Sequence, residues 1–197
     1  MIETLTHLDT EVFLFFNGMH APWADFLFYW VSNILIWVPL YLLFIFLLIK
    51  KYKKQCWIIL PLLILVIVCT DQSCNFLKRT VQRPRPSHTE ALAEKIHLVE
   101  NPDGTLYYGG QYGFPSGHAA NSIAFAWMVI FFFGKRRKWL IVAAVCWSLL
   151  LCYSRIYLGV HYPGDILCGL ILGSCWSIGA VFLYFRVLKK RLFKEEK

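Results

Sequence analysis

Three short stretches hold nearly all the residues of this chain that could do anion or acid–base chemistry: Lys78 to Pro86, Pro115 to His118, and Ser154 to Asp165. In the first, Lys78-Arg-Thr-Val-Gln-Arg-Pro-Arg-Pro86, two prolines forbid a continuing helix and hold the backbone extended, so Lys78 and Arg85 can converge. A planar guanidinium grips two phosphate oxygens while an ammonium adds a compact charge, a pairing suited to a tetrahedral dianion. Snorkelling toward anionic headgroups is the competing role, and Arg79 and Arg83 are assigned to it or to a secondary headgroup contact. The proline-locked Arg85 is expected to hold the anion directly.

Pro115-Ser-Gly-His118 opens an apolar run, where unpaired backbone N–H groups and the positive helix end make an anion site. Gly117 permits close approach, and Ser116 can cap or donate. Alone, the tetrapeptide reads as a helix start with an interfacial His118; its company changes that reading. The third stretch supplies a cation, Arg155, and places His161 and Asp165 four residues apart across a helix start, with Pro163 suited to a first helical position. An Asp165 carboxylate bonded to one ring nitrogen of His161 would set the tautomer and leave the other nitrogen as nucleophile or base. Otherwise Asp165 is a helix-terminus carboxylate. Two histidines and an aspartate are too few for a metal site beside Lys78, Arg85 and Arg155, which would repel a cation, so neither metal nor cofactor is expected.

The elements that must position these groups are membrane spans. With 58% hydrophobic side chains, 17% aromatics and a mean hydropathy of +0.53, the 197 residues lie outside the composition of soluble domains. A hydrocarbon core of roughly 30 Å needs about 20 apolar helical residues. Phe26–Ile49, Trp57–Leu77, Gly117–Phe133, Trp139–Tyr157 and Ile166–Leu188 are read as about five spans. The expected fold is an all-α polytopic helix bundle, one domain over residues 1–197. Ahead of it, Ile2, Leu5, Leu8, Val12, Phe15 and Phe16 recur at helical spacing, either as an amphipathic helix on the interface, a sixth helix, or as an ordinary packed terminal helix. No cationic leader or cleavage site precedes the first apolar run, so no removable signal peptide is expected.

The net charge of +8 does not point to nucleic acid, because the cations sit in connections between spans. Lys50 to Lys54, Lys135 to Lys138, and Lys189, Lys190, Arg191 and Lys194 follow the first, third and fifth spans and mark the cytoplasmic side. The three reactive stretches then share the opposite face. The cations at Lys78, Arg79, Arg83 and Arg85 oppose that rule and are candidates for function.

The seven cysteines show neither a disulfide framework nor a zinc spacing and are read as packing residues; Gly169 and Gly173 are read as a close helix contact. Asp71, Asn75 and Lys78 fall on one stripe of the second span, so Asp71 and Asn75 either support Lys78 or bond between helices. Asn121 and Ser122 carry the same ambiguity. Asn101-Pro-Asp-Gly104 is a turn signal between two short extended runs, giving a small outer hairpin or lid near the site. Trp23, Tyr107, Tyr108 and Tyr112 are read chiefly as interface anchors.

Taken together, Lys78, six residues, Arg85-Pro86; Pro115-Ser-Gly-His118; and Ser154-Arg155, five residues, His161, three residues, Asp165 resemble the type-2 phosphatidic acid phosphatase superfamily, in its bacterial membrane branch. The resemblance implies that His161 is the nucleophile forming a phosphohistidine, that Asp165 orients it, and that His118 protonates the departing oxygen. It also implies that Lys78, Arg85, Ser116, Gly117 and Arg155 bind the phosphoryl oxygens, with no metal. Cations and helix-end amides can neutralise the spread charge of phosphoryl transfer in place of magnesium. The implied substrate is an amphiphilic lipid phosphate: undecaprenyl diphosphate, phosphatidylglycerophosphate, phosphatidic acid or lipid A, with a prenyl diphosphate or another envelope lipid favoured. The implied place is the bacterial inner membrane, active site periplasmic and C-terminus cytoplasmic. Other readings are a phosphotransferase with another acceptor, a lipid or anion transporter, and a vanadium haloperoxidase, whose known members are soluble.

Overall fold

Asparagine and proline, rather than hydrophobicity, decide where the first apolar stretch breaks. In the computed structural model, which describes residues 2–134 and 138–189, the expected span Phe26–Ile49 is two helices. Helix α2 (Pro22–Ser32) stops before Asn33, whose extended backbone and side chain redirect the chain: Oδ1 accepts from the Leu35 N–H at 3.0 Å. One 3₁₀ turn follows (Ile34–Trp37), and Pro39 sits in the first turn of α3 (Val38–Tyr52), where its missing N–H costs nothing. The carbonyl of Val31, freed by the break, is taken by the Trp37 indole at 2.8 Å.

Residues Ile34–Val81 form a helical run of 48 residues whose most apolar 18-residue window has a mean hydropathy of 2.2. Straight, it would extend roughly 70 Å, more than twice the hydrocarbon thickness. Instead the chain turns at Lys53, with φ 45°, inside the lysine cluster, and returns as α4 (Cys56–Val81). Helices α6 (Lys138–Tyr157) and α7 (Pro163–Leu183, continued by one π turn, Tyr184–Leu188) are also long and apolar enough to span. Helix α5 (Gly117–Phe133) is shorter and central. The result is the expected all-α membrane bundle.

Small residues draw α5 and α7 together. Ala119, Ala120 and Ala124 are fully buried, and a Cβ on Gly169 or Gly173 would collide with the carbonyl oxygens of Ser116 and Ala120. Lipid tails are as apolar as leucine, so such close backbone packing, with bonds such as Trp127 to Ser174 at 2.9 Å, holds spans together. The cysteines are free; Cys56, Cys74 and Cys152 are buried as packing residues, whereas Cys146 and Cys175 are exposed.

Helix α1 (Ile2–Asn17) is packed, not merely laid alongside. Phe13 is buried against Tyr162, with ring centroids 5.4 Å apart. Asn17 donates to the carbonyls of His97, Ile156 and Tyr157 at 2.9–3.1 Å and accepts from the His97 N–H. Leu5, Leu8 and Phe15 remain exposed on its other side. The connection from α4 to α5 includes the expected hairpin in minimal form: a Glu100–Leu106 bridge closed over Asn101–Gly104, with no strand among the described residues.

At the far end, Lys51, Lys53, Lys54 and Lys189 line one cavity beside the last turn of α5, where the Phe132 carbonyl accepts from Lys51. Residues 135–137, with Lys135, Arg136 and Arg137, and residues 190–197, with Lys190, Arg191 and Lys194, lie outside the described residues, as does residue 1.

Candidate active site

The three reactive stretches meet at the ends of α4, α5, α6 and α7 opposite those lysines. An extended crossing pins them: Arg85 N–H donates to Gln111, Gly113 N–H to Arg83, and Ser116 N–H to the Asp165 carbonyl, at 2.9–3.1 Å. Ser116 is the N-cap of α5, its Oγ accepting from the Ala119 N–H at 3.5 Å. Beside Gly117 there is open space: an added Cβ would meet nothing within 4 Å. Gly117 thus leaves space at the N-terminal end of α5, where unpaired backbone N–H groups favour an anion.

His161 is 1% exposed, and its Nδ1 lies 3.3 Å from Oδ2 of Asp165, which is fully buried. The same oxygen accepts from the Tyr162 N–H at 3.1 Å, closing a capping box at the start of α7, with Pro163 at its first position. Burial, then the charges of Arg85, Arg155 and Lys78, hold the His161 pKa well below 6.5. The imidazole is thus neutral at neutral pH. His118, exposed in the first turn of α5, lies within the field of Arg155, His161 and Arg85 and interacts with the Ser32 backbone.

The cations are distinguished by what they lack. Arg155 is 2% exposed and Arg85 is 8% exposed, yet neither forms an ion pair, and nor does Lys78, among the described residues. Arg155 donates to Ser32 Oγ and, at 3.3 Å, to Tyr107, while its Nε is buried without a partner. Arg85 donates to the carbonyls of Tyr112 and Val160, and burial with the charge of Arg155 brings its pKa down to about 10. Neutral acceptors offset only part of the cost of burying charge. A dianion among the three cations would supply the rest.

Arg83, assigned from sequence to snorkelling or a secondary headgroup contact, differs from Lys78, Arg85 and Arg155 in having carboxylate partners among the described residues. It donates to Oδ1 of Asp165 at 2.9 Å and to Asp9 at 2.7 Å, and its guanidinium lies 4.0 Å from the centre of the Tyr162 ring. Asp9 also accepts from the Gly164 N–H at 2.7 Å. Asp9 and Ser32 were not anticipated either. The signal for Arg83 was its i, i+2 relation to Arg85, which in extended backbone puts both on one side. Asp71 accepts from Asn121 at 2.7 Å, an inter-helix bond, while Asn75 is exposed; the field of Asp71 still reaches Lys78.

Residues 56–190 match the family model of the PAP2 superfamily. The chain belongs to that superfamily. It is 38% identical to the lipid A 4'-phosphatase of Bacteroides thetaiotaomicron over 94% of this chain and 79% of that protein. The lipid A 4'-phosphatase of Porphyromonas gingivalis is 34% identical over 94% of this chain and 77% of that protein. Among solved structures, Aquifex aeolicus LpxE superposes with a TM-score of 0.67 at 24% identity, covering 88% of this chain and 94% of that one. The PAP2-type phosphatidylglycerolphosphate phosphatase of Bacillus subtilis gives 0.70 at 19%, covering 93% and 88%. These two establish the PAP2 helical fold. Asp9 and Ser32 lie outside the segment matched by the family model, yet both touch its site.

Proposed function

We propose that this membrane protein hydrolyses the phosphate monoester of a lipid of the lipid A type, without a metal, through a phosphohistidine on His161. The observation that carries this reading is the cluster of buried Arg85 and Arg155 with half-buried Lys78, without carboxylate partners among the described residues, beside a neutral His161 held by Asp165. The phosphoryl oxygens are held by those cations, by the Ser116 hydroxyl and by the Gly117 amide at the start of α5. The free ring nitrogen of His161 attacks phosphorus in line with the ester oxygen. Asp165 stabilises the imidazolium, and His118 gives its proton to the departing oxygen as the P–O bond breaks. Water then attacks the phosphohistidine, His118 takes its proton, and phosphate leaves with His161 restored.

A site at span ends lets acyl chains stay in lipid while the head enters the polar pocket. Opposite ends of the bundle carry the site and the lysines, which supports an extracytoplasmic site and a cytoplasmic C-terminus. Among the envelope lipids expected from sequence, prenyl diphosphate and lipid A included, lipid A is the one the relatives favour. The two relatives aligned over 94% of the chain are lipid A 4'-phosphatases, whereas the match to an undecaprenyl-diphosphatase covers 36% of it. The test is phosphate release from lipid A, undecaprenyl diphosphate and phosphatidic acid in EDTA by wild type and His161→Ala. EDTA-resistant release from lipid A, lost in the variant, is expected; equal release by the variant would remove His161 as nucleophile.

A further inference from the structure

A cavity of about 500 Å³ lies between α2 and the loop running into the Asn101 turn. Asp25, Tyr29 and Trp30 line it from the helix, and His97, Glu100 and Asn101 from the loop. It adjoins the phosphate site without being part of it. Tyr29 packs edge-on against Tyr107, centroids 6.3 Å apart, and Tyr107 in turn accepts from Arg155. On α2, Asp25, Tyr29 and Ser32 fall at i, i+4 and i+7, one face, and Ser32 is the residue that touches Arg155. Three residues of helix, about 5 Å along its axis, therefore separate Tyr29 in the cavity wall from Ser32 beside the phosphate site.

The chemistry of the lining selects its occupant. No lysine or arginine contributes to it, and the carboxylates of Asp25 and Glu100 would repel a second phosphate. Oδ1 of Asp25 accepts from Tyr157 and pairs with His97, whereas Oδ2 has no partner among the described residues. Tyr29 and Trp30 supply flat apolar faces, and carboxylate and amide groups supply acceptors and donors around them. The polar groups of Asp25, Glu100 and Asn101 would have to lose their hydration for an acyl chain to enter. A ring with an apolar face and a rim of hydroxyls fits these conditions.

We propose that this cavity is a sugar-binding subsite that selects glycolipid phosphates, holding a sugar ring while the attached phosphate sits among Lys78, Arg85 and Arg155. The proposal rests on the lipid-phosphatase reading and extends it. A prenyl diphosphate or phosphatidic acid presents nothing to this cavity and gains nothing from it.

The experiment compares wild type, Trp30→Ala and Glu100→Gln on lipid A and on phosphatidic acid. Loss of the Trp30 ring should lower kcat/KM for lipid A about tenfold, the order of one lost stacking contact, and leave phosphatidic acid within about twofold. Glu100→Gln, a surface change that leaves the backbone bridge intact, should shift lipid A in the same direction by about threefold, one lost hydrogen bond. Equal losses on both lipids, or no loss on lipid A, would overturn the subsite while leaving the phosphatase reading standing. Binding of lipid A to His161→Ala, with and without Trp30→Ala, separates the two ideas. If wild type releases phosphate from neither lipid, the phosphatase reading fails, yet about tenfold weaker binding in the double variant still supports the subsite and equal binding overturns it.

Discussion

Arg83 donates to Oδ1 of Asp165 at 2.9 Å while the imidazole of His161 lies 3.3 Å from Oδ2, so one buried carboxylate is shared between a guanidinium and the proposed nucleophile. Asp9, on a helix outside the matched family segment, completes the arrangement by holding both Arg83 and the start of α7. In the proposed mechanism the guanidinium sets where the carboxylate lies, and the carboxylate sets how the imidazole is aimed.

Arg83→Lys keeps the charge and loses the fork that reaches two carboxylates. It should lower kcat by roughly tenfold to a hundredfold with KM little changed, because it misplaces His161 without touching the phosphate. Asp9→Asn should do the same more weakly. Steady-state kinetics on lipid A decide it: a rise in KM at constant kcat would mean that Arg83 binds headgroup, as its sequence suggested.

The cation cluster without carboxylate partners should be stabilised by an anion. Saturating inorganic phosphate or orthovanadate is expected to raise the thermal unfolding temperature of the purified protein, by an amount set by linkage: about 2.7 kcal/mol at a hundred times Kd. Arg155→Ala should abolish the shift. A shift that survives in that variant would place the anion elsewhere.

Protonation of His161 should cost stability in a definite window. Its native pKa lies well below 6.5, mainly through burial, while the unfolded chain titrates near 6.5. Above pH ~6.5 both states are neutral there and the residue contributes no pH dependence; as pH falls below that value the unfolded state binds the proton first and stability is lost. Between pH 7.5 and 5, His161→Asn should therefore lose less thermal stability than wild type. Parallel curves would show that the imidazole is not held neutral.

Gly113 leaves no room for a side chain: a Cβ would lie 2.8 Å from Oδ2 of Asp165 and 3.3 Å from Cγ of Arg85. Gly113→Ala should cost about tenfold or more in kcat by displacing that carboxylate, with a folded protein by circular dichroism. Gly117→Ala, where nothing lies within 4 Å, should fold normally and instead raise KM, since its methyl group projects into the space proposed for phosphate. Equal effects of the two substitutions would contradict that assignment.

Composition alone required a membrane bundle, because 58% hydrophobic residues in long runs have no soluble solution, and the lysine cluster at residues 50–54 marked the turn between α3 and α4. The reactive residue types were equally plain, since proline, glycine, histidine and arginine at those spacings each have few reasons to stand together. The break at Asn33 was harder to see: the local bond to Leu35 opposes an otherwise uninterrupted hydrophobic pattern, and periodicity does not register such a bond.

The wiring of the site was a tertiary decision. Arg83 and Arg85 are two residues apart in the same proline-rich segment, yet one finds Asp9 and Asp165 and the other finds only carbonyls. Nothing local separates them. Residue type and spacing determined which groups could carry the chemistry; only the packing of α1 and α7 around residues 83–85 decided which guanidinium is neutralised by carboxylates and which is left with charge to spare, because the energy of a charge depends on its neighbours in space and not on its place in the chain.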